Sequence, residues 1–211
     1  VHPFSSLLAA GRSPPAYIGV TTSDGVGAAH NVNLPAGSAV GDLAVVVNGF
    51  SNAQPTGFTL VRTNTMANNG GQYYQSSFKV LTSTDISNGY IAFPSSGLSG
   101  IGELLIVYRG VREAVFAGEF EGANGDATLA VTYALNTGSL MTVAYAVDRD
   151  GSASGFTLTG ATKVGAAPAS GGIYGVMWGH NLLPIANSTV ITFGALTTGQ
   201  SGIVCVLDLR P

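Results

Sequence analysis

The chain has 211 residues, of which only 9% are charged, with a net charge of −3 and a mean hydropathy of +0.34. Eight Lys and Arg are too few for the clustered cations of a nucleic-acid groove. The longest apolar runs, such as Leu43 to Val47 and Leu104 to Tyr108, are five residues, far short of a membrane span.

Residues 1 to 15 are predicted to form an N-terminal arm. Ser5 can cap a short helical turn that Gly11 ends, and Phe4, Leu7 and Leu8 make the arm a candidate anchor on another subunit or partner. Its start lacks a basic end followed by an apolar stretch, so no signal peptide is expected. Pro14-Pro15 then stiffens the connection, because neither proline donates to a strand ladder.

Strands are predicted next, at about 16–22, 31–34, 42–50, 57–63, 72–81, 89–93 and 102–109. A second set follows at about 114–121, 127–133, 139–147, 155–160, 171–179, 188–193 and 202–209. Thirty glycines, with Asp24-Gly25, Asn69-Gly70, Asn88-Gly89, Asn124-Gly125 and Asp150-Gly151 between strands, supply the turns, and no amphipathic helical stretch is seen. Phe78 and Val80 share one face of their strand, and Val176 and Trp178 share one face of theirs, so Trp178 is expected in the core. The near-continuous apolar runs at 102–109 and 202–209 suit strands covered on both sides.

The two sets of strands carry matching phrases. Gly41-Asp42-Leu43 parallels Gly138-Ser139-Leu140, and Gly57-Phe58-Thr59-Leu60 recurs letter for letter at Gly155-Phe156-Thr157-Leu158. The offset drifts from 97 to 101 positions, as a few loop insertions would make it. The expected fold is therefore all-β: a jelly-roll-like β-sandwich built from an internal duplication of about 97 residues, as two seven-strand halves. The halves are residues 16–111 and 112–211, and the short junction Val111-Arg112-Glu113 requires them to pack closely. Two tandem sandwiches and one fused sandwich both fit, with the fused unit favoured.

Chemistry finds little purchase in this pattern. His2, His30 and His180 are far apart and offer no zinc-ligand spacing, so neither metal nor cofactor is expected. The Gly-x-Ser-x-Gly elbow and the phosphate-binding glycine motifs are absent. Cys205 lies in an apolar run and reads as a buried inert thiol. Glu119 and Glu121 project from one strand face with Phe120 opposite, the pattern of a solvated face rather than of a glycosidase pair. Asp148-Arg149-Asp150-Gly151 reads as a hairpin turn, since a calcium loop would need further acids. Adjacent Tyr73 and Tyr74 must point to opposite faces. With Gln72 beside them, they are candidate contacts for a glycan or a neighbouring subunit. So low a charge leaves much of the outside suited to contact with other copies or partners.

Four phrases then carry a family resemblance: Leu34-Pro35-Ala36-Gly37 leading to Val40-Gly41-Asp42-Leu43, Pro55-Thr56-Gly57-Phe58-Thr59-Leu60, Tyr73-Tyr74 leading to Phe78-Lys79-Val80, and Val107-Tyr108-Arg109-Gly110-Val111. Over residues 16 to 211 the chain resembles β-sandwich virion proteins of tailed phages, prophages and gene-transfer-agent-like particles. Relatives usually show Gly-Trp-Thr where this chain has Gly57-Phe58-Thr59. The resemblance implies a non-enzymatic particle component: capsid decoration, head spike or fibre, or tail adhesin. It further implies self-assembly, with a trimer favoured, and attachment to a major capsid protein or to a spike or tail base protein. Binding to host surface polysaccharide is a further implication, as is a virion location after assembly in the host cytoplasm. No catalytic residue carries over.

Overall fold

The structure is a computed structural model that describes residues 15–23, 27–49, 53–66, 72–95, 102–123, 126–149, 155–167, 174–196 and 202–211. The first half contributes strands β1 (Ala16–Ser23), β2 (His30–Asn33), β3 (Leu43–Gly49), β4 (Thr59–Met66), β5 (Gln72–Val80), β6 (Tyr90–Phe93) and β7 (Glu103–Arg109). A single helical turn and a half, α1 (Ser83–Asn88), lies between β5 and β6. The second half contributes β8 (Glu113–Glu121), β9 (Thr128–Thr132), β10 (Met141–Arg149), β11 (Thr157–Thr159), β12 (Thr162–Ala167), β13 (Tyr174–Asn181), β14 (Val190–Gly194) and β15 (Ile203–Arg210).

These strands form four antiparallel sheets. The two large ones run β1-β7-β3-β5-β4 and β12-β13-β10-β15-β8; the small ones are β2-β6 and β11-β14-β9. Alternation along the central strands places the sheets in layers. Leu43, Val45 and Val47 of β3 share a core with Met141, Val143, Tyr145 and Val147 of β10, so the large sheets pack face to face. The intervening residues face outward. Ala44 and Val46 pack with Val32, Ile91 and Phe93 from β2 and β6. Ala144 and Ala146 pack with Leu129, Val131, Ile191 and Phe193 from β9 and β14. Each half is thus a large sheet covered by a small one, and the large sheets join back to back.

This layering explains the apolar runs. β3, β7, β10 and β15 are buried on both faces, so both alternating sets must be apolar. Fully burying one such Val or Leu side chain contributes about 1.5–3 kcal/mol, so these four strands dominate the stability. Trp178 is fully buried, and Phe78, Val80 and Val176 also face the central core, as their alternation predicts.

The sequence reading missed two elements. β12 follows β11 after a break at Gly160 (φ 81°), in a stretch where no strand was expected, so the second half shows eight strands among the described residues instead of seven. The helix α1 was also unforeseen. Thr82 Oγ1 accepts from Asp85 N at 3.3 Å while Asp85 Oδ2 accepts from Thr82 N at 2.8 Å, a reciprocal capping box. Gly89 (φ 73°) ends the turn by donating to Asp85 O at 3.0 Å. Six residues are too few to show helical periodicity, and the caps alone signal it.

Candidate functional site

Glu119 does not stand on a solvated face. It lies on β8 at the edge where the two large sheets meet, and its carboxylate accepts from Arg62 Nε at 2.9 Å and from Arg62 Nη2. Asn64 Nδ2 donates at 3.1 Å, and the Tyr74 hydroxyl donates as well. The Arg62 guanidinium also sits 4.8 Å over the Phe116 ring. Burial by itself raises the Glu119 carboxyl, but the bonds from Arg62 and Tyr74 outweigh it and hold the group below the usual carboxylate range. Phe120, on the opposite face of the strand, is the exposed neighbour at 45%. Strand alternation correctly separates the two faces, but only the neighbouring sheet decides which one is covered.

The tyrosine pair divides in the same way. Tyr73 is 46% exposed, whereas Tyr74 is fully buried in the central core, 6.4 Å from the Tyr145 ring. Tyr74 is therefore an internal strut and not a contact for a glycan or another subunit. Its hydroxyl is raised above the ordinary tyrosine range, chiefly by burial. Gln72 opens β5 opposite Met66. The anchor residues Phe4, Leu7 and Leu8 lie outside the described residues, as do His2 and the turn at Asp150-Gly151.

Several other ionisable groups among the described residues are engaged within the body. His30 Nε2 lies 2.8 Å from Glu103 Oε2 and 3.1 Å from Ser23 Oγ, with Nδ1 3.0 Å from Ala28 O. Both the serine and the acid meet the same ring nitrogen, so the arrangement lacks the relay geometry of a hydrolytic triad. Asp208, fully buried, accepts from Tyr133 at 2.6 Å, Ser139 at 2.9 Å and Asn136 Nδ2 at 2.8 Å. His180 packs among Tyr17, Tyr108 and Trp178, and burial lowers it to about 4. Burial also pushes the Cys205 thiol up to about 12, the inert state expected of it. Among the described residues no group of three or more His, Cys, Asp and Glu is placed to hold a metal ion, and no helix is long and apolar enough to cross a membrane.

One concavity has a mixed lining. A cleft of about 200 Å³ in the first half is lined by Thr56, Lys79, Asp85, Asn88, Tyr90, Ile91 and Ala92. Lys79 Nζ donates to Asp85 Oδ1 at 2.7 Å, and the same capping box that starts α1 anchors Asp85. Gly57 (φ 80°) turns the chain so that Thr56 meets the cleft, its own Cβ position being 3.6 Å from Lys79 Cε. Sequence reasoning passed over this set, because four separate segments contribute to it. Its only legible signal was the spacing Thr82-x-x-Asp85 before Gly89.

Comparison with protein-family models, curated proteins and solved structures finds no match for the chain.

Proposed function

We propose that the protein is a non-enzymatic structural component of a phage-like particle, a capsid decoration or head spike or fibre protein that works through subunit contacts. The observation that carries this reading is the distribution of apolar and charged side chains. Val40 is 61% exposed, Leu183 57% and Val190 51%, with Leu60, Phe120, Leu135 and Leu182 also on the outside. Meanwhile Arg62, Lys79, Arg109 and Arg210, half of the eight Lys and Arg residues, are in ion pairs within the chain. Exposed apolar side chains on a chain with only 9% charged residues, half of whose cations are tied up internally, favour burial against copies of the chain or a capsid or base protein.

The matched connectivity of the large sheets supports a duplicated, jelly-roll-like origin. In each, the first strand of the half pairs with the last, and the last pairs with the third. A protein of this type would be assembled in the host cytoplasm and reside in the virion, with residues 1–15 as its anchor and a trimer as its favoured state.

Deletion of residues 1–15 tests the anchoring. The truncated protein should fold, by circular dichroism, but fail to join particles. Incorporation of the truncated form removes the anchor, and absence of the full-length protein from purified particles removes the reading.

A second reading, a host-surface polysaccharide adhesin on the same kind of particle, is favoured by one observation. The Lys79–Asp85 cleft combines a tyrosine, an amide, a hydroxyl and an ion pair. A glycan array without hits would discard it.

A further inference from the structure

We infer that the cleft between α1, β5 and β6 is a carbohydrate subsite that takes a single neutral sugar residue; this rests on the polysaccharide-binding reading above. A sugar ring presents a hydroxylated rim and an apolar C–H face, and the lining offers a partner for each. Tyr90, half-buried at the start of β6, provides an aromatic surface of the kind that stacks on the C–H face. Ile91, the next residue on β6, turns to the opposite face and packs in the outer core of the first half, which holds the strand under the cleft in place.

The polar partners are held in place before any ligand arrives. Asp85 is tied by Thr82 N at 2.8 Å and Thr82 Oγ1 at 2.6 Å, so its carboxylate cannot swing away. Lys79 spends one of its three ammonium protons on Asp85 Oδ1. The others can donate to sugar hydroxyls, and Asp85 Oδ1 keeps lone-pair capacity to accept from one. A paired cation and anion suit a hydroxyl, which both donates and accepts. They also give the cleft no net charge with which to favour an acidic sugar. Asn88 and Thr56 add an exposed amide and a hydroxyl at the rim.

The cleft also breaks the likeness between the halves. Its wall is α1, whereas the stretch between β13 and β14 in the second half, residues 182–189, is non-helical.

The full-length protein should be titrated with neutral gluco-, galacto-, manno- and rhamno-oligosaccharides, and with uronate- and sialate-containing ones, by calorimetry and saturation-transfer NMR. Binding of a neutral oligosaccharide is expected, weakened about tenfold by Tyr90→Ala. Asn88→Ala, an exposed change that leaves the core intact, should weaken it less, and Lys79→Met should weaken it too. Tyr73→Ala should leave it unchanged. Neutral-sugar binding that survives all three cleft substitutions overturns the site while leaving the adhesin reading in place. Binding of acidic sugars alone overturns the neutral-ligand assignment. No binding by the unmodified protein overturns both the subsite and the adhesin reading.

Discussion

Arg62 on β4 and Glu119 on β8 form a two-pronged ion pair that links the outermost strands of the two large sheets, 57 residues apart in sequence. Planar guanidinium and carboxylate groups meet in only one register, so this pair fixes how the halves align as well as adding to their attraction. Tyr74 and Asn64 also donate to Glu119, which leaves the carboxylate well satisfied despite its partial burial.

Glu119→Gln should therefore destabilise the protein by about 1–3 kcal/mol, because Arg62 and Tyr74 lose a charged acceptor. Arg62→Met alone should cost a similar amount. In urea unfolding the double variant should lose much less than the two single losses added together. Strict additivity would show that the pair does not couple the sheets.

Acid should weaken the fold in two stages. His180 titrates at about 4 when folded against 6.5 when unfolded, so the unfolded chain takes up a proton that the native one refuses. The stability from keeping it neutral is complete above pH 6.5 and is lost as the pH falls towards 4, up to about 3 kcal/mol. Glu119, held below its ordinary range, adds a further loss at lower pH as its carboxylate is protonated. His180→Phe should flatten the stability profile between pH 6.5 and 4, at a small cost near pH 8 from the Tyr108 hydroxyl that lies 3.2 Å from Nδ1. An unchanged slope in that variant would assign the acid sensitivity elsewhere.

Asp208→Asn should cost about 2–3 kcal/mol. The carboxylate accepts on both oxygens, and an amide would turn a donor towards either Tyr133 and Ser139 or Asn136. Thermal unfolding would check this, and a loss below about 0.5 kcal/mol would mean that the network rearranges freely.

Gly49→Val should destabilise by about 1–3 kcal/mol through overpacking. A Cβ at Gly49 would lie 3.1 Å from both Val147 Cγ1 and Val176 Cγ2 in the facing sheet. Phe120→Ser, on the exposed side of β8, should change stability little, within about 0.5 kcal/mol. Chemical denaturation of the two variants side by side would separate core geometry from surface. Equal losses would contradict the layer assignment.

Much of the strand framework could be read directly. The predicted strands at 102–109 and 202–209 correspond to β7 and β15 within a residue, because unbroken apolar sequence between glycine turns leaves few alternatives. Tyr73 and Tyr74 were correctly sent to opposite faces. What alternation left open was which of the two faces outward, and for Glu119 the open face turned out to be covered.

The candidate cleft was harder to see. Thr56, Lys79, Asp85 and Tyr90 come from a turn, a strand, a helix too short to show a period, and another strand. Each has an ordinary local reason to be where it is, and nothing in the linear order joins them.

Side-chain alternation and turn chemistry act between near neighbours, so the order of amino acids alone determined an all-β chain with doubly apolar central strands. The stacking of one large sheet on the other depends on surfaces brought together from opposite halves. That long-range meeting decided that Glu119 is covered and Tyr74 buried while Phe120 and Tyr73 face outward; the polar cleft beside α1 comes from packing among separate segments of the first half.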